Sequence, residues 1–357
     1  MGNLIYVGTY TDHGSDGIYS CRFDSKTGKL AELGLAAESS QPSFLAVYSS
    51  AHFLYAVNEI KNFNGLPSGA VSSFAIDSAT GKLSLLNQVS SRGGGPAHII
   101  LDQTEKHAFV SNYKGGSMAV LPVLEDGRLG EASAFVQNTG SSVNKKRQEG
   151  PHAHAVAMSC DNRFALLANL GLDQLIAYPF DSTNGMLGQE PNVTKTNPGS
   201  GPRHVVFDHI GKFLYVINEL QSSVTTYSYD SIHGALHDSG TISTLPQGFA
   251  ASNDAGEIAI HPSGKFIYAS NRGHDSIAVF SIDPAKGTLT NIEFIPTRGK
   301  TPRNFAIDPT GLWLIAANQE SDDIVVFRID GKTGRLVPTG QSLHVPSPAC
   351  VTFVPQP

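Results

Sequence analysis

Two fixed distances from a recurring asparagine collect most of the side chains in this sequence that can move protons or hold anions. Apolar runs end in Asn at Tyr55-Ala-Val-Asn58, Phe109-Val-Ser-Asn112, Leu166-Leu-Ala-Asn169, Tyr215-Val-Ile-Asn218, Tyr268-Ala-Ser-Asn271 and Ile315-Ala-Ala-Asn318, with a degenerate copy at Tyr6-Val-Gly-Thr9. Fifteen residues before each Asn stand Ser43, Ala97, His154, Arg203, Gly256 and Arg303. Directly after each stand Glu59, Tyr113, Leu170, Glu219, Arg272 and Gln319. His98, His204 and Glu257 lie fourteen before, and His152 and Asn304 are close by. Imidazole and carboxylate can exchange protons with a substrate. A guanidinium fork holds two anionic oxygens at once. The chemistry these residues suit is acid–base work on a small anion.

Other candidates are weaker. His152-Ala153-His154 places two imidazoles on one side of a strand, where they could ligate a metal. No third and fourth ligand stands in register, so no metal or cofactor is expected. Lys145-Lys146-Arg147 lies in a long insertion and reads as a solvated loop, with a positively charged lid over the site as the alternative. His52, His107, His209 and His261 fall in inter-strand turns and read as surface residues. Glu257 reads equally as a channel-lining or a structural residue. The nucleophile-elbow, Walker A, dinucleotide-binding and zincin patterns are all missing.

The elements that must position these residues are repeated. Asp, Gly four on and Leu two further recur at Asp24/Gly28/Leu30, Asp77/Gly81/Leu83, Asp181/Gly185/Leu187, Asp230/Gly234/Leu236, Asp283/Gly287/Leu289 and Asp330/Gly334/Leu336, with a shortened copy at Asp126-Gly127-Arg128-Leu129. This is hairpin chemistry: Asp bonds nearby backbone, Gly takes positive φ and Leu restarts a buried strand. Pro42, Pro96, Pro202 and Pro302 each stand sixteen before an Asn. Each unit of ~50 residues therefore reads as four antiparallel strands, and seven units describe an all-β, seven-bladed β-propeller. Leu4–Thr9 starts at a second strand, and Ser347–Val354 is only a first strand. One blade is thus closed by both the N- and C-terminal strands. No linker or composition shift interrupts the period, so residues 1–357 read as a single domain. The two channel-facing offsets should then ring one mouth of the propeller.

Composition agrees. Charged residues are 16% of the chain and 36 of its 357 residues are Gly, which suits many short strands joined by turns. A net charge of -6 gives no general attraction to nucleic acid or anionic membrane. Against that background, three arginines at one mouth form a local anion trap. Cys21, Cys160 and Cys350 are too few and too scattered for a disulfide framework or a zinc site. The opening Met1-Gly2-Asn3-Leu4-Ile5-Tyr6 lacks a basic stretch before an apolar run, and no long apolar run follows, so a cytoplasmic location is expected.

Gly201-Pro202-Arg203-His204, Tyr215-Val-Ile-Asn218-Glu219-Leu220, Ser270-Asn271-Arg272 and Thr301-Pro302-Arg303-Asn304 resemble the lactonase family of seven-bladed propellers over essentially the whole chain. That family holds bacterial cycloisomerase-type 6-phosphogluconolactonases and the fungal carboxy-cis,cis-muconate cyclase. The resemblance implies a catalytic His, Arg, Glu and second Arg, which fall on His154, Arg203, Glu219 and Arg272. Register against Asn169 favours His154 over His152. Arg303, His152, His204, Glu59 and His98 are the candidate substrate-binding residues. The expected reaction is hydrolysis of a sugar lactone, 6-phosphogluconolactone first, in the pentose phosphate pathway. Glu219 or His154 would be the base, Arg203 would stabilise the oxyanion, and Arg272 or Arg303 would hold the phosphate. The alternatives are a muconate-type lactonising cyclase and a non-catalytic binding scaffold. The expected partner is a small anionic sugar lactone, bound by a monomer or weak homodimer.

Overall fold

In the computed structural model, which describes residues 3–355, every blade is an antiparallel sheet and seven of them close a ring. Met1 and Gly2, the start of the segment read for a targeting signal, lie outside the described residues, as do Gln356 and Pro357. Blade 1 runs Pro348–Phe353, Asn3–Thr9, Gly17–Asp24 and Lys29–Glu38 from the channel outward, so the two ends of the chain do share it. The innermost strands of blades 2 to 7 are Leu45–Val47, Pro96–Leu101, Ala153–Met158, Pro202–Phe207, Asp254–Ile260 and Pro302–Ile307. Each touches its two neighbours around a closed circle. Blade 4 departs from the plan. Its outer edge is split into Met186–Leu187 and Asn192–Lys195, both paired with Gln174–Asp181.

Alternation along each strand sends successive side chains to opposite neighbours. Ile5 and Val7 pack toward blade 7, while Leu4 and Tyr6 pack toward blade 2. Apolar clusters fill all seven inter-blade gaps in this way. The Asp-x-x-x-Gly turns cap them. Gly28 sits at φ 73°, and its N–H donates to Asp24 O at 2.7 Å. A Cβ there would lie 2.5 Å from the ring of Trp313 in blade 7. Trp313 Nε1–H donates to Ser25 O at 2.8 Å, so this turn joins the last blade to the first.

Blade turns also correct two readings. His107 and His261 are buried, not surface residues. The next blade's turn overhangs each ring: Gly185 stands against His107, and Gly311 O lies 2.8 Å from His261 Nε2. His52 and His209 are exposed as expected.

The innermost strands share one irregularity. Pairing jumps from Pro96↔Asn112 to His98↔Ser111, from Ala153↔Asn169 to Ala155↔Ala168, from Pro202↔Asn218 to His204↔Ile217, and from Pro302↔Asn318 to Asn304↔Ala317. The residues skipped are Ala97, His154, Arg203 and Arg303. Blade 1 skips Ala349, and blade 6 sets Gly256 and Glu257 against Ser270. A β-bulge leaves its extra residue without a ladder partner and re-aims the side chain. The position fifteen before each Asn is therefore the bulge itself in most blades.

Candidate active site

Two backbone devices hold the mouth. The bulges present His154, Arg203 and Arg303 from blades 4, 5 and 7. The residue after each Asn is fixed by its N–H to the carbonyl just ahead of the bulged strand. Glu219 donates to Gly201 O at 2.8 Å, Glu59 to Gln41 O at 3.0 Å, Tyr113 to Gly95 O at 2.8 Å and Gln319 to Thr301 O at 2.9 Å. Tyr10 makes the same bond to Ser347 O at 3.0 Å, so it is the seventh member of the series. The degenerate Tyr6-Val-Gly-Thr9 run held the signal for Tyr10, at the position following Thr9.

Glu219 is the hub. Its Oε2 lies 3.0 Å from Arg203 Nε and 2.8 Å from Arg272 Nη2. Its Oε1 accepts from Arg147 Nη2. The carboxylate is 4% exposed. Burial would raise its pKa, but Arg272, Arg203 and Arg147 outweigh it and hold the group at about 2. Arg203 Nη1 also donates to Gly256 O at 2.6 Å, and Arg272 Nη2 to Ala255 O at 3.0 Å. Burial, then repulsion from Arg272 and Arg303, pulls Arg203 down to about 9, still protonated at neutral pH. Three guanidinium groups around one carboxylate leave excess positive charge in a dry setting, which is the condition for binding or stabilising an anion.

Beneath the arginines lies a layer of imidazoles. His204 packs edge-on to His154 and His98, with ring centroids 5.0 and 5.2 Å away, and Phe44 closes the layer 4.4 Å from His98. Burial drives His154 and His98 well below 6.5, and nearby positive charge pushes both the same way. His154 is therefore neutral at pH 7, and its buried Nδ1 has no hydrogen-bond partner. Burial also lowers His204, against the pull of Glu257. His204 Nδ1 lies 2.8 Å from Glu257 Oε1, which assigns the proton to Nδ1 and leaves Nε2 buried and unpartnered. Burial would raise Glu257, yet His204, Arg203 and the Ile258 N–H keep it ionised. Asn304 Nδ2 donates to its other oxygen at 2.5 Å. Glu257 is thus a buried anchor for the histidine layer.

The remaining candidates stand at the rim. Glu59 Oε2 accepts from Tyr10 Oη at 2.7 Å and Ser43 Oγ at 2.6 Å. Arg303 lies over the Tyr10 ring, 5.0 Å from its centroid. Burial works against the charge of Arg303, and Tyr10, Glu59 and Glu219 more than restore it. His152 does not join His154. The bulge between Ala153 and Ala155 separates the two, and His152 stacks on Tyr113 at 4.5 Å with both ring nitrogens engaged, by Tyr113 O and Glu149. Among the described residues, no group of three or more His, Cys, Asp or Glu is arranged to hold a metal ion.

Arg147 departs from the solvated-loop reading of the basic triplet. Lys145 and Lys146 are exposed, but Arg147 turns inward onto Glu219 and, at 3.4 Å, Asp254. No repeat offset predicts it, because the insertion carrying it has no counterpart in the other blades.

The family described as "Lactonase, 7-bladed beta-propeller" matches residues 4–353. A Bacillus subtilis protein named 6-phosphogluconolactonase is 34% identical over 351 residues, 98% of each chain. A Formosa agariphila protein of the same name is 37% identical over 309 residues, 84% of this chain and 85% of the relative. A solved Pseudomonas aeruginosa periplasmic gluconolactonase superposes with a TM-score of 0.92 at 33% identity, over 100% of both chains.

Proposed function

Because the chain belongs to the seven-bladed β-propeller lactonase family, we propose that it hydrolyses a sugar lactone, 6-phosphogluconolactone in the first instance. The observation that carries this reading is a neutral, buried His154 under a cluster of guanidinium groups that outnumbers its carboxylate hub. The relatives named 6-phosphogluconolactonase support the substrate.

Ester opening needs an activated water and a stabilised oxyanion. Glu219 is a poor base, because its oxygens are occupied by arginines and its pKa stands at about 2. His154 is the better base. It takes the proton of the attacking water as the water oxygen bonds to the lactone carbonyl carbon. The carbonyl oxygen gains the negative charge beside Arg203 and Arg272. Collapse breaks the bond to the ring oxygen, which receives the proton from His154 and leaves as a hydroxyl. Glu219 keeps Arg203 and Arg272 aligned throughout.

The test is fresh 6-phosphogluconolactone offered to purified protein, with product read by coupled 6-phosphogluconate dehydrogenase. Acceleration over spontaneous opening is expected; its absence would remove the reading. Unphosphorylated gluconolactone is the second reading, supported by the P. aeruginosa relative. Cytoplasmic residence and a monomer or weak homodimer belong to the same proposal; cell fractionation and light scattering check them.

A further inference from the structure

Arg147 differs from the other two arginines on Glu219 in how it is held. Arg203 and Arg272 spring from propeller strands and are almost wholly buried. Arg147 comes from the insertion spanning 138–152, and its side chain is 35% exposed. It is the outermost cation of the cluster and stands between Glu219 and solvent.

The backbone beneath it is pinned. Gln148 is fully buried, and its Nε2 donates to Leu170 O at 2.8 Å. Asn144 closes a turn by accepting from the Gln148 N–H at 2.7 Å, and Ser142 Oγ donates to Asp173 at 2.5 Å. The side chain of Arg147 can therefore move while its backbone stays in place. Its partners are Glu219, Asp254 and the Tyr113 hydroxyl. Glu219 keeps Arg203 and Arg272 on Oε2, and Asp254, 41% exposed, is taken up by water. On the outer side of Arg147 lies a recess of about 430 Å³, lined among others by Asn144, Gln221, Ser252, Asn253 and Asp254. The amides, the Ser252 hydroxyl and the Asp254 carboxylate can hydrogen-bond a polyhydroxylated ligand.

We propose that Arg147 leaves Glu219 and Asp254 to grip the phosphate of the incoming lactone, so that the insertion, not the propeller wall, selects phosphorylated over unphosphorylated substrate. This rests on the lactone-hydrolysis reading. Arg147 holds Glu219 through Nη2 alone and Asp254 only at 3.4 Å, so a phosphate that accepts both arms of the fork offers it a better-matched partner than either carboxylate. An unphosphorylated sugar offers no such replacement and must enter with Arg147 still paired.

The test compares wild type, Arg147→Gln, Arg147→Lys and a charge control, Lys145→Ala, on 6-phosphogluconolactone and glucono-δ-lactone. Arg147→Gln should raise KM for the phosphorylated lactone by about tenfold or more relative to its effect on KM for glucono-δ-lactone, with kcat ratios between the two substrates within about twofold. Arg147→Lys, which keeps charge but not the fork, should fall between. Lys145→Ala should match wild type. Equal changes on both substrates, or faster turnover of both as expected of a mere plug, would overturn the proposal. If wild type opens neither lactone, the function reading fails by itself, and calorimetric binding of 6-phosphogluconate against gluconate decides Arg147. Wild type should prefer the phosphorylated acid and Arg147→Gln should lose that preference; an undiminished preference in the variant would refute the role.

Discussion

Replacing Glu219 by Gln removes the one negative charge shared by three arginines. In the folded protein this carboxyl stands at about 2, against an ordinary 4.5. A depression of that size corresponds to about 3 kcal/mol of stability at neutral pH. The group is buried, so little of this is lost to solvent screening. Because the folded value lies below the unfolded one, the stabilisation is complete above about pH 5. It fades as acid protonates the unfolded carboxyl first and the folded one near pH 2. Equilibrium urea unfolding of wild type and Glu219→Gln should therefore differ by about 3 kcal/mol at pH 7, and that gap should be about 2 kcal/mol smaller at pH 3. Glu257 is also held low, but it is present in both proteins and drops out of the difference. Turnover should fall with stability, since Arg203 and Arg272 lose the hub that aligns them. A gap that is absent at pH 7, or that keeps its size at pH 3, would refute the charge-hub account.

Four further outcomes are expected. His154→Gln should lower kcat by about 10²–10⁴ with the urea midpoint little changed; a variant keeping most of its turnover would remove His154 as the base. Gly201→Ala should cost about 2 kcal/mol or more, because Gly201 sits at φ 63° and a Cβ would lie 2.6 Å from Leu220. Its carbonyl holds the Glu219 N–H, so activity in the coupled assay should fall with it. Trp313→Ala should cost about 3–5 kcal/mol by opening the seam between blades 7 and 1; the chain has a single Trp, so circular dichroism must follow unfolding. His98→Gln should flatten the fall of melting temperature between pH 7 and 5. Burial holds His98 below 6.5, so the unfolded chain binds its proton more tightly and wild type loses stability as pH drops through that range.

Most of the ring was readable because it repeats. The Asp-x-x-x-Gly turns, the Asn ending six of the second strands and the Pro at the start of four of the first strands mark one unit well enough to place Arg203, Arg272, Arg303, Glu59, Glu219 and His154 around a mouth. The offsets carry no information on bulges, so Ala153, His154 and Ala155 look like successive residues of one regular ladder, and His152 looks as if it faces with His154. They carry none on convergence either. Glu219 reads as a base in sequence, and only the arrival of three guanidinium groups makes it an anchor. The basic triplet offers a charged lid as its alternative reading, but nothing in it singles out Arg147 from Lys145 and Lys146. The insertion that holds it is built from Asn144 and Gln148 bonding their own neighbours, a local code with no copy elsewhere in the chain. His107 and His261 read as surface residues because their burial comes from the adjacent blade, not from their own strand.

The bulges separate the lining of the central hole from the construction of its wall. A residue with no ladder partner can be exchanged without cutting an inter-strand bond, so these positions act as interchangeable sockets around a shared aperture. Three are occupied by His154, Arg203 and Arg303. Two others, Ala97 and Ala349, hold only a methyl group, and both are buried. A longer polar side chain placed in either would reach the same space from blade 3 or blade 1 and redraw the selectivity of the hole, while the sheets behind it stay as they are.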